Sequence, residues 1–153
     1  MRAVAALLLA LALPAAAQPR GTPAEAPTTA PSEVVDAFHD ALKAGDRRKA
    51  LEQLTADVLI FEQGRQERSR TEYARNHLAE DIGFASVTTR TVSRRSVKQQ
   101  GNVAWVTSQN RTRGTFKTRT VDFLTDETMV LVHSGGKWRI AHIHWSFDDR
   151  ASH

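Results

Sequence analysis

The amino-acid sequence predicts an α+β domain in which three helices are followed by a curved antiparallel sheet of about four long strands plus a short one. Between Ser32 and Asp81 apolar residues recur at the three-four spacing of a helix face. From Phe84 onward the period falls to two, and Val, Thr and aromatic residues dominate. Glycine-containing turns at Gln100-Gly101, near Gly114 and at Gly135-Gly136 divide this second half into four strands. Helices first and a strand meander second are the pattern of an α+β architecture.

Ahead of the domain, residues 1–17 read as a signal peptide. Arg2 supplies the positive start, Ala3 to Leu13 the apolar run, and Ala15-Ala16-Ala17 a small-x-small cleavage site before Gln18. The run is too short for a membrane span, which takes about 20 apolar residues. Residues 18–31, QPRGTPAEAPTTAP, hold with Pro14 all five prolines and read as a stiff, disordered linker. The folded domain is assigned to residues 32–148 and a disordered tail to 149–153. The chain has no cysteine, which excludes disulfides, thiolate metal sites and a lipid at the cleavage point. The expected location is the periplasm or the exterior, with no membrane attachment once the leader is cleaved.

Ser32 can cap a first helix whose inner stripe is Val34, Val35, Phe38, Ala41 and Leu42, closed by Gly45 in the left-handed conformation. Asp46 caps a shorter second helix with Ala50, Leu51 and Leu54 inward, and Val58 to Phe61 follow as a short strand. Ser69-Arg70-Thr71-Glu72 is a capping box that opens the third helix. On one face of that helix lie Tyr73, Ala74, His77, Leu78 and Asp81, so three polar groups enter an otherwise apolar stripe.

The last hairpin bears most on function. A two-residue turn at Gly135-Gly136 pairs Ser134 with Lys137, Leu131 with Ile140, Met129 with His142 and Glu127 with His144. One face then carries Glu127, His142 and His144 among Met129, Leu131, Trp138 and Ile140. A carboxylate and an imidazole on an apolar face must satisfy each other or meet a ligand. A three-residue turn would flip this register. A curved sheet around a helical layer also leaves an open mouth, a natural ligand site.

The formal net charge is +4. Arg90, Arg94, Arg95, Lys98, Arg111, Arg113, Lys117 and Arg119 fall on neighbouring strands and a hairpin tip. They form a positive edge that would attract phosphate or acidic lipid, or simply keep strand ends solvated and unaggregated. No nucleic-acid partner is expected, because no recognition motif is present and aromatic residues do not interleave the charges.

The segments FHDALKAGDRRKALEQLTADVLIFE, EQGRQERSRTEYARNHLAEDIGF and ETMVLVHSGGKWRIAHIHWS resemble the SnoaL-like branch of the nuclear-transport-factor-2-like superfamily, over nearly all of Ser32 to Ser146. The resemblance implies a cone-shaped fold in which three helices pack on a strongly bent sheet and enclose a pocket, often in a homodimer. The superfamily includes ketosteroid isomerases, polyketide cyclases, dehydratases and members that only bind or scaffold, so fold does not give function. Pocket positions of such sequences correspond to Glu67, Tyr73, His77, Asp81, Glu127 and His144. Neither an aspartate base nor a tyrosine-aspartate oxyanion pair of those enzymes aligns here, so no reaction type carries over.

The first functional reading is a pocket for a small hydrophobic molecule, with Glu67, Tyr73, His142, Met129 and Trp138 as binding residues. A second is a cofactor-free acid/base enzyme (isomerase, cyclase or dehydratase-like). In it Asp81 orients His77, Glu127 orients His144, and Tyr73 donates to a developing oxyanion. A third joins His77, His144 and either Glu127 or Asp81 as a two-histidine, one-carboxylate metal site. It ranks lower because no HxxxH or HExxH spacing is present, so neither metal nor cofactor is expected. A fourth is a dimeric assembly module. His39, His133 and His153 read as surface residues, and Trp105, Trp138 and Trp145 as core or dimer-interface residues.

Overall fold

The computed structural model describes residues 29–149. The expected signal peptide, most of the expected linker and residues 150–153 of the tail lie outside these described residues. The first helix, α1 (Pro31–Ala44), begins inside the stretch assigned to the linker. Its N-cap is Ala30 rather than Ser32, because Pro31 suits the first helical position, where its fixed φ fits and its missing N–H is not needed. The stripe of Val34, Val35, Phe38, Ala41 and Leu42 is buried as the spacing requires, and Gly45 closes the helix at φ 71°. Asp46 then caps α2 (Arg47–Glu52), accepting from the Lys49 amide at 2.9 Å.

Strands β1 (Leu54–Glu62) and β2 (Arg65–Glu67) form a small hairpin. Ser69 caps α3 (Arg70–Asn76) through the Glu72 amide at 3.1 Å, while the Glu72 carboxylate reaches back to the Arg68 amide at 2.8 Å. The expected single third helix is interrupted at His77, whose φ of −125° and ψ of −35° are not helical. Helix α4 (Leu78–Val87) restarts there and runs past Phe84, where the alternating pattern had suggested a strand. Ile82 and Ala85, at helical spacing from Leu78, pack on the core and hold these residues helical.

Four long strands follow: β3 (Thr88–Gln100), β4 (Val103–Phe116), β5 (Arg119–Ser134) and β6 (Lys137–Asp149). They complete a curved, unclosed six-stranded sheet in the order β2-β1-β6-β5-β4-β3. This is the expected α+β architecture with its helices at the N-terminal side. Every pairing is antiparallel except β1 with β6, which is parallel. A parallel pair needs a long crossover, supplied here by everything from β2 to β5, so turn chemistry between neighbouring strands does not reveal it.

The turn between β4 and β5 is made by Lys117 and Thr118, at φ 48° and 67°, and not at Gly114. Gly114 lies within β4 opposite Thr88, where a Cβ would come 2.6 Å from the Val87 carbonyl oxygen. Its role is close approach of two backbones. The Gly135-Gly136 turn does pair Ser134 with Lys137 and Leu131 with Ile140. Between Val130 and Leu131, however, the register shifts. Val130 pairs with His142, Met129 with Ile143, Thr128 with His144 and Glu127 with Trp145, leaving Ala141 without a partner. A bulge of one residue reverses the facing of every residue beyond it. The expected Met129–His142 and Glu127–His144 pairs therefore do not form.

Candidate functional site

Between α1, α4 and the concave side of the sheet lies a cavity of about 800 Å³. One wall is aromatic: Phe84 stacks on Phe123 with ring centroids 6.1 Å apart, Phe123 stacks on Phe147 at 4.5 Å, and Phe116 meets Phe84 edge-on at 5.4 Å. Two polar clusters share the cavity with this wall.

The first is centred on His77. Its Nε2 lies 3.2 Å from Glu62 Oε2 and 3.3 Å from Asp81 Oδ1, and its Nδ1 lies 3.4 Å from Glu67 Oε1. The Tyr73 hydroxyl donates to Asp81 Oδ2 at 2.6 Å. The α3–α4 break sets His77 at the junction of two helices, and Asp81 follows one turn later. Burial, reinforced by the nearby Asp81 carboxylate, pushes the Glu62 carboxyl up to about 7. Burial also raises Asp81, against the pull of His77 and the Tyr73 hydrogen bond. The Tyr73 hydroxyl, buried beside these carboxylates, is raised well above its ordinary range and keeps the proton it donates to Asp81.

The second cluster is centred on Glu127, which is only 2% exposed. Glu127 Oε2 accepts from the Trp145 indole N–H at 2.7 Å and lies 2.7 Å from His39 Nε2, while Oε1 is 3.5 Å from the Arg90 guanidinium. Burial alone would raise this carboxyl. The opposing pull of His39, then Arg90, and the Trp145 hydrogen bond hold it at about 2.

Of the residues singled out from sequence, Glu67, Tyr73, His77 and Asp81 come together, but only His77 and Asp81 line the cavity; Glu67 and Tyr73 stand behind them. Glu127 lines it through the second cluster. The bulge at Ala141 turns His144 to the outer face, where it is exposed beside Phe61 and Gln66. His142 follows it, packing on the Phe61 ring at 5.6 Å with Nδ1 2.8 Å from the Leu59 carbonyl oxygen. Met129 is fully buried in the hydrophobic core with Val106 and Ile143, and Trp138 sits against His133 near the hairpin turn, so neither reaches the cavity.

Three members of these two polar clusters escape the sequence reading. His39 is not a surface residue: it stands one turn from Val35 and from Leu42, so the helical stripe itself carried the signal. Glu62 continues the alternation of Val58 and Ile60 past the apolar run. Arg90, counted with the basic edge, points inward to Glu127. Trp145 is buried as expected, and its indole N–H is committed to Glu127.

The SnoaL-like domain model matches residues 32–149. The chain belongs to the SnoaL-like family. A solved structure of this kind, a candidate ketosteroid isomerase from Shewanella frigidimarina, is 37% identical with a TM-score of 0.74, covering 78% of this chain and 96% of that one. A candidate dehydratase of the NTF2-like family from Streptomyces avermitilis is 18% identical, with a TM-score of 0.65 over 75% of this SnoaL-like chain and 91% of its own. The CaMKII hub of S. rosetta is 21% identical, with a TM-score of 0.64 over 76% and 93% of the two chains. These last two likenesses concern the fold alone. None of the curated proteins compared with this SnoaL-like chain matches it.

Proposed function

We propose that this SnoaL-like protein is an exported binder of a small, largely hydrophobic molecule, held in the cavity between its helices and its sheet. The observation that carries this reading is the stacked wall of Phe84, Phe123 and Phe147 facing the same space as His39 and Glu127. An apolar wall with a few convergent polar groups suits a ligand with a hydrophobic body and one or two oxygen functions. The test is a thermal-shift screen of the full chain against small hydrophobic ketones and alcohols, alongside Phe123→Ala. A ligand that binds only the folded state raises the melting temperature. The reading requires such a shift in the native protein and its loss in the variant; no shift with any compound would overturn it. Export is tested separately by N-terminal sequencing of the secreted protein, which should begin at Gln18, and a homodimer by solution scattering.

A second reading, proton transfer on a carbonyl ligand, is supported by His39. An imidazole held by a carboxylate, which is itself held by an indole N–H and a guanidinium, is arranged to exchange a proton with a ligand atom in the cavity. Deuterium exchange next to the carbonyl of a bound ketone, followed by NMR, should then occur with the native protein and vanish in His39→Ala. Binding without exchange would leave the first reading alone.

A further inference from the structure

We propose that Glu62, His77 and Asp81 form a binding site for one divalent first-row transition-metal ion, with Glu67 positioning the imidazole from behind.

One donor atom from each of the three residues lies within 4.8 Å of the other two. The separations of His77 Nε2 from Glu62 Oε2 and Asp81 Oδ1, 3.2 and 3.3 Å, are those of neighbouring ligands around an ion whose bonds to nitrogen and oxygen are about 2.0–2.2 Å. The charges of the cluster do not balance. Three carboxylates, Glu62, Glu67 and Asp81, surround one imidazole, and their side chains are 24%, 6% and 16% exposed against 6% for His77. A protonated ring offsets only one of three ionised carboxylates, and clustered carboxylates out of water are relieved either by a retained proton or by a cation that displaces it. The Arg65 guanidinium, opposite Glu62 in the β1–β2 hairpin, acts on that carboxyl through space but is paired with Glu80 at 3.4 Å rather than with one of the three carboxylates.

The polar atoms tell the same story independently of charge. His77 Nε2 lies almost equally far from Glu62 and Asp81, so a single N–H could only be split between them in a weaker three-centre bond, whereas a metal ion on that nitrogen can be shared fully by both carboxylates. On the far side of the ring, His77 Nδ1 is buried with no hydrogen-bond partner, and so is Glu67 Oε2. Metal-ligating imidazoles place their second nitrogen against a carboxylate in this way, which fixes the ring and its tautomer. Binding of an ion at Nε2 would put the proton on Nδ1, facing Glu67 Oε1 at 3.4 Å. Tyr73 completes the arrangement, since its hydrogen bond occupies Asp81 Oδ2 and leaves Oδ1 turned toward His77.

One nitrogen and two carboxylate oxygens suit Mn(II), Fe(II), Co(II) or Zn(II). Calcium takes six to eight oxygen ligands, and Cu(I) prefers sulfur. All three ligand residues line the cavity, so the open coordination positions face the space in which an organic ligand would sit. The site differs from the two-histidine arrangement expected from sequence, because His144 lies on the outer face of the sheet.

The experiment uses the untagged full chain, stripped with a chelator and then titrated with Co(II) and Zn(II). Calorimetry reads stoichiometry, and the visible absorption of Co(II) reads coordination. One ion per chain is expected, with a Co(II) spectrum that disappears in His77→Gln and Glu62→Gln. Glu67→Gln should bind about 10- to 100-fold more weakly, as loss of an outer carboxylate does at such sites. Circular dichroism of each variant confirms that it is folded, and Glu62→Gln, conservative in volume and on the cavity wall, serves if His77→Gln does not fold. His144→Ala should bind as the native protein does. No binding, binding unchanged in Glu62→Gln, or binding lost in His144→Ala would each overturn the proposal. Because none of these readouts uses an organic ligand, failure here is distinct from failure of the pocket reading.

Discussion

His39 on α1 and Glu127 on β5, 88 residues apart in the chain, meet with Nε2 and Oε2 2.7 Å from each other. The contact ties the first helix to the sheet, and Glu127 is buried enough that its charge depends on its partners. Removing one member of a buried charged pair strands the other. Glu127→Ala is therefore expected to cost about 3 kcal/mol. Glu127→Gln, which keeps an acceptor for Trp145, should cost about half of that. Urea denaturation of the two variants measures both, and a loss below about 0.5 kcal/mol in the alanine variant would show that the pair does not support the fold.

The same carboxyl predicts a pH dependence. Its folded-state value of about 2 lies below the ordinary 4.5, so the unfolded chain binds the proton more readily between those values. The stabilisation is fully present above about pH 4.5 and is lost as pH falls toward 2. Other carboxylates titrate there too, Asp122 beside Arg111 among them, so the informative quantity is the difference between native protein and Glu127→Gln. That difference should shrink steadily from pH 4.5 to 2. A constant gap would show that Glu127 is not held ionised by its neighbours.

Ala141 is the extra residue that sets the facing of the end of β6. Deleting it would remove the bulge and leave a regular ladder in which Val130 still faces His142, Met129 still faces Ile143 and Glu127 still faces Trp145, so both buried residues, Ile143 and Trp145, keep the inner side. The deletion is expected to keep cooperative thermal unfolding followed by circular dichroism, since the native facing survives without any slip of the hairpin turn, whereas inserting a second alanine after Ala141 should abolish it by adding another unpaired residue. Loss of cooperative unfolding in the deletion variant would show that the bulge itself, and not only the facing beyond it, is needed by the fold.

Gly114→Ala tests the junction between α4 and β3. The new Cβ would lie 2.6 Å from the Val87 carbonyl oxygen and 2.9 Å from Thr88 Cα, both backbone atoms with little freedom to move. A loss of about 1–3 kcal/mol in urea denaturation is expected, the usual cost of forced overpacking. Unchanged stability would mean that the junction yields without strain.

Much of the fold is legible from local chemistry. The α1 stripe, Gly45, the Asp46 and Ser69 caps and the Gly135-Gly136 turn are each written within a few residues, so spacing and backbone preference are enough to place them. The His77–Asp81 contact belongs to the same class, because two residues one helical turn apart must share a face. Helix α4 past Phe84 does not, since its apolar residues suit either period and packing on the core decides between them.

The candidate site is divided in the same way. Side-chain period, caps and turn residues are sufficient for the α+β class and for one half of the His77 cluster, because those signals act over one or two turns of chain. The facing of β6 beyond Ala141, the parallel pairing of β1 with β6, and the meetings of His39 with Glu127 and of Glu62 with His77 arise otherwise. They depend on how distant segments settle against one another, where one unpaired residue reverses a strand face and burial joins charges that no local spacing connects.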